Sequence, residues 1–99
     1  MADGAPRYRA EPPEALLIRS LGPMTLLYHR RSGTTHLMSE PVPQILATLS
    51  AIGPADAAAV TRQLAAAFDL AEGEGEAEAA VAARLEELAA IGLVARAGA

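Results

Sequence analysis

Two histidines, four serines and a run of glutamates are the residues of this 99-residue chain whose types could do chemistry. His29 and His36 flank Ser32-Gly33, where glycine can supply the positive φ of a tight hairpin. A two-residue loop at Ser32-Gly33 pairs Arg31 with Thr34, Arg30 with Thr35, His29 with His36, Tyr28 with Leu37 and Leu27 with Met38. Two imidazoles fall short of the three or four protein ligands zinc usually takes, and the chain has no cysteine to complete a set. A partly exposed cross-strand histidine pair is therefore expected, and no metal site. Glu72, Glu74, Glu76 and Glu78 alternate with glycine or alanine, but lack the fixed pattern of a calcium loop. Ser20, Ser32, Ser39 and Ser50 have no Gly-x-Ser-x-Gly setting, and no glycine-rich phosphate loop precedes a helix. Neither catalysis nor a cofactor is expected.

Composition sets the frame for these residues. The chain is 52% hydrophobic and 3% aromatic, with 24 alanines and no lysine, asparagine, tryptophan or cysteine. That apolar fraction excludes a disordered chain, and no run reaches the length of a membrane span. Met-Ala-Asp-Gly-Ala-Pro at the start does not read as a secretory signal, so a cytoplasmic domain is expected. Charge divides unevenly. Residues 1–39 carry five arginines and three acids, whereas 40–99 carry three arginines and nine acids. The second part would repel a nucleic-acid backbone.

The elements that would position these groups follow from periodicity and punctuation. Residues 1–13, ending in Pro12-Pro13, read as a flexible arm in which Tyr8, between Arg7 and Arg9, can pin a short extended piece; a domain spans 14–96. Apolar runs begin at Leu16, Met24 and Thr34, divided by Gly22-Pro23 and by Ser32-Gly33, which predicts a three-strand meander. Pro41 and Pro43 fit only the first turn of a helix, and Ile45, Leu46, Leu49 and Ile52 recur at helical spacing until Gly53-Pro54 ends it. A second helix is predicted over about 55–68, an exposed acidic link over 69–76, and a third helix over about 76–91. Gly92 then allows Leu93 to fold back on Leu88, and Leu93-Val94 begins a short extended tail. The expected class is α+β: a three-stranded antiparallel sheet followed by three helices, like a winged helix-turn-helix.

That order, and three stretches within it, resemble the PqqD-like family of precursor-peptide recognition elements. The stretch LLYHRRSGTTHLMSEP (26–41) is similar to the family's hairpin, and ILATLSAIGPADAAAVTRQLAAAF with VAARLEELAAIGLV to its last three helices. The word Thr35-His36-Leu37 resembles the subgroup of PqqD peptide chaperones that accompany an HPr-kinase-like protein. Pro43 departs from the family pattern. The resemblance implies a non-catalytic peptide chaperone, which captures the leader segment of a ribosomally made precursor by strand addition and presents it to a modifying enzyme. It implies an edge strand at Thr34, Thr35, His36, Leu37 and Met38, facing a third-helix wall of Val81, Arg84, Leu85 and Leu88. Arg84, the single cation of that helix, would pair with a carboxylate of the peptide.

Plainer roles compete for the same residues. Leu85 and Leu88 are needed in the core of so short a chain, and Arg84 has Glu87 as an i+3 partner on the helix surface. As alternatives, a DNA-binding winged helix is opposed by the acidic third helix, so no nucleic acid is expected. A homodimeric protein–protein adaptor, joined through the Thr34–Ser39 edge, would block or share the peptide site.

Overall fold

The computed structural model describes residues 6–68 and 74–97. The meander is present as β2 (Leu16–Leu21), β3 (Met24–His29) and β4 (Thr34–Ser39), preceded by β1 (Arg7–Ala10). Three helices follow: α1 (Val42–Ile52), α2 (Ala57–Phe68) and α3 (Glu74–Ala90), with β5 (Ala55–Asp56) before α2 and β6 (Val94–Arg96) after α3. The class is α+β, but with two sheets rather than one. The meander forms the antiparallel order β2-β3-β4, and a second antiparallel sheet has the order β5-β1-β6.

The second sheet corrects the reading of 1–13 as a loose arm. Arg7–Ala10 is the central strand of that sheet, and Tyr8 is only 1% exposed. An aromatic ring has a large area to bury, and here it joins the core cluster with Val60, Leu85, Leu93 and Val94. The ordered domain therefore reaches back at least to Arg7.

The hairpin register also differs from expectation. His29 pairs with Thr34, Tyr28 with Thr35, Leu27 with His36, Leu26 with Leu37 and Thr25 with Met38. The loop has four residues, 30–33, closed by a bond from Gly33 N to His29 O at 2.8 Å. His29 Nδ1 lies 2.9 Å from Ser32 Oγ, and Thr34 N donates to that oxygen at 3.3 Å, so the turn is held by the serine side chain. A shift of two residues leaves each side chain on its expected face, because the strand period is two. It does separate His29 from His36, so the cross-strand histidine pair does not form.

Leu27, His29 and Met38 lie on the helix-side face of the meander and are buried. Below them α1 contributes Ile45, Leu46 and Leu49, α2 contributes Val60 and Leu64, and α3 contributes Val81, Leu85 and Leu88. Helix ends follow local chemistry. Asp56 Oδ1 accepts from Ala59 N at 2.9 Å, which caps α2. At the end of α3, Leu93 N bonds Leu88 O at 3.0 Å and Gly92 N bonds Ala89 O at 3.2 Å, with Gly92 at φ 86, a Schellman end. Helix α3 starts at Glu74, so part of the acidic 69–76 link is helical; residues 69–73 lie outside the described residues. Among the described residues no helix is long and apolar enough to cross a membrane.

Candidate functional site: an edge-strand groove

Strand β4 ends its sheet on one side, and its outer edge can be read from the ladder. Arg30 N donates to Ala15 O at 2.8 Å, which extends the β2–β3 register by one pair. Backbone bonds in an antiparallel strand alternate in direction. The even-numbered residues of β3 therefore bond toward β2, and the odd-numbered ones toward β4. In β4 this commits Thr34, His36 and Met38 to β3 and turns the N–H and C=O groups of Thr35, Leu37 and Ser39 outward. An edge with three such residues in alternation can accept another strand.

Beside that edge lies an open groove of about 530 Å³. Its β4 wall is formed by Thr35, His36, Leu37, Met38 and Ser39, with Val42 at its end, and its α3 wall by Arg84, Glu87, Leu88 and Ile91. Two buried nitrogens of this lining, His36 Nε2 and Arg84 Nε, have no hydrogen-bond partner among the described residues. Both atoms are sealed from solvent, so a ligand in the groove meets instead the exposed part of the Arg84 side chain, which is 41% accessible. Arg84 Nη2 is already engaged with Glu87 at 3.0 Å, the i,i+3 pair anticipated from sequence.

The expected site residues divide. Thr35, His36, Leu37, Met38, Arg84 and Leu88 come together at the groove. Thr34 sits at the loop end of β4 opposite His29, away from the lining. Val81 and Leu85 do not reach the groove; both are buried in the core, Leu85 completely. Leu88 serves both roles, buried yet part of the wall. Glu87 and Ile91 were missed, although Glu87 stands three residues after Arg84 and Ile91 three after Leu88, the helical spacing that marks a shared face.

Two polar clusters stand apart from the groove. Buried His29 has Nε2 3.6 Å from Glu11 Oε1, and Arg31 Nη2 reaches the same oxygen at 3.2 Å. Ser32 Oγ thus lies between Thr34 N and His29 Nδ1, while His29 Nε2 faces Glu11 on the other side of the ring. Acid, imidazole and hydroxyl are thus in series, but the backbone N–H groups next in line are spent: Gly33 N on His29 O and Thr34 N on Ser32 Oγ. No oxyanion-binding pair is left at the turn, and the cluster holds the hairpin to the 11–15 segment. Among the described residues no three acidic or histidine side chains gather as a metal set.

The second cluster joins β1, α3 and β6. The Tyr8 hydroxyl donates to Glu86 Oε2, and Arg96 Nη2 donates to the same oxygen at 2.6 Å. Burial, with the Glu86 bond next, pushes the Tyr8 phenol from 10.0 up to about 12. The bond from Tyr8, followed by that from Arg96, holds the Glu86 carboxyl below its ordinary range. Glu86 in turn raises Arg96.

A separate apolar cleft of about 330 Å³ opens on the β2 side of the meander, between Leu16, Ile18, Leu27 and Met38 of the sheet and Leu46 and Ala47 of α1. Comparison with protein-family models, with curated proteins and with solved structures finds no match to this chain.

Proposed function

We propose that the protein is a non-catalytic peptide-binding domain that captures an extended segment by strand addition at β4. The open edge of Thr35, Leu37 and Ser39, running beside the groove between β4 and α3, carries this reading. An added strand would take its backbone bonds from those three residues and place alternate side chains against Leu88 and Ile91. An acidic side chain at that level would pair with the exposed part of the Arg84 guanidinium. The winged-helix, PqqD-like resemblance supports the same assignment, with a leader peptide as ligand and a modifying or HPr-kinase-like enzyme as the partner that receives it.

DNA recognition by α3 is the weaker alternative. That helix carries Glu74, Glu76, Glu78, Glu86 and Glu87 against Arg84 alone, and phosphate contact needs the opposite sign.

The test is an amide NMR titration with the short peptides encoded beside the gene. Shifts confined to residues 34–39 and 77–91, and abolished by Leu37→Pro in a variant with native circular dichroism, are expected. A well-folded sample that shows no shift with any of these peptides refutes leader capture. The Leu37 N–H points outward, so proline there removes a bond to the ligand and none within the sheet.

A further inference from the structure

The other edge of the meander has a different character from β4. Alternation turns Leu17, Arg19 and Leu21 of β2 inward to β3, and Leu16, Ile18 and Ser20 outward. Leu16 N is already bonded to Pro13 O, and Ile18 O accepts from Arg19 Nη1 at 3.1 Å, so this edge offers the N–H of Ile18, the N–H and C=O of Ser20, the C=O of Leu16 and the second lone pair of Ile18 O. Five of the six residues are exposed, and Ile18 is 51% exposed at the mouth of the apolar cleft. Of the usual protections of an edge the strand has no proline and no lysine, and its single charge, Arg19, lies over Ile18 O through an exposed bond that an incoming strand can displace.

We infer that β2 is a self-association edge, where a second copy of this chain adds its own β2 antiparallel across a two-fold axis. A strand edge is self-complementary under such an axis, and the sequence of β2 selects one register. Centring the axis on Ile18 sets Ile18 against its counterpart, Leu16 against Ser20, and Leu17 against Arg19. Both Ile18 side chains then lie on the helix-side face and close the mouths of the two clefts. Centring it on Arg19 would oppose like charges directly, which is unfavourable. Centring it on Leu17 drops Ser20 from the paired segment.

In the Ile18-centred register four backbone bonds join the copies: Ile18 to Ile18 in both directions, and each Ser20 N–H to the opposite Leu16 C=O. Leu16 N makes none, because Pro13 holds it. The contact is small. A six-residue strand is about 20 Å long and a sheet about 10 Å thick, well under the roughly 800 Å² per partner of a stable dimer. The association is therefore weak and concentration-dependent. It yields a continuous six-stranded sheet that leaves both β4 edges free, about 24 Å apart across five strand spacings. This distinguishes it from a dimer through β4, which would occupy the groove.

Light scattering or sedimentation across a concentration series up to about millimolar tests the arrangement on the full chain. Wild type is expected to rise from the 10.2 kDa monomer toward twice that mass. Ser20→Pro removes two of the four bonds and none of the β2–β3 ladder, and should weaken dimerisation about 30-fold. Ile18→Lys, at an exposed position, should act likewise and keeps the test decisive where proline disturbs folding. Leu37→Pro should leave the dimer unchanged. A wild type that stays monomeric, a dimer indifferent to both Ser20→Pro and Ile18→Lys, or one lost only in Leu37→Pro overturns the inference.

Discussion

Raising the pH from about 9 to about 12 titrates few groups in this protein, because the chain has no lysine and no cysteine and its arginines remain charged. Tyr8 is the tyrosine whose phenol burial and the Glu86 bond push up to about 12. Its folded-state pKa stands above the unfolded value near 10. The stabilisation is therefore complete below about pH 10, falls by about 1.4 kcal/mol per pH unit up to about pH 12, and is lost above that. The whole step amounts to about 2.7 kcal/mol, from a two-unit shift. A chain of this length has roughly 5–15 kcal/mol in total, so the loss is measurable and could unfold a marginal domain. Urea unfolding followed by circular dichroism at successive pH values gives the slope directly. Tyr8→Phe, which keeps the ring volume, should flatten it, whereas Tyr28→Phe, with Tyr8 intact, should not. A Tyr8→Phe variant that declines in parallel with wild type between about pH 10 and 12 would refute the argument. Tyrosinate absorbance provides a second check: in the native state the Tyr8 ionisation should be late and should coincide with unfolding.

Leu85→Ala should destabilise by about 2–5 kcal/mol in urea, because Leu85 is fully enclosed in the core rather than set on the groove. Asp56→Ala removes the cap on Ala59 N and should cost about 1 kcal/mol, read as a lower midpoint at unchanged slope. Gly92→Ala meets no close atom, its nearest being His29 Cε1 at 3.9 Å, so its expected loss of about 1–2 kcal/mol measures the positive φ alone. Leu37→Arg should keep native circular dichroism and thermal midpoint, since Leu37 is 59% exposed; a collapsed hairpin would show that it supports the sheet.

What the sequence determined about this protein is its local structure. The meander, the three helices, the Gly53 stop and the Schellman end at Gly92 rest on periods of two and 3.6 and on glycine and proline at fixed offsets, all readable within a few residues. The approach of β4 to α3 was what the family resemblance implied, and six of the nine expected residues meet at the groove. Tertiary structure alone decided the rest. Tyr8 becomes a core residue because β5 and β6, 45 or more positions away, supply its strand partners. The hairpin register depends on whether Ser32 bonds His29 or stays in a two-residue loop, a choice between turns that both suit Ser-Gly. Leu85 and Leu88 share one apolar stripe, so periodicity could not say which faces the core alone and which also reaches the groove. That depends on how α3 is rotated against the sheet, which Tyr8, Glu86 and Arg96 help to set from the far side of the molecule.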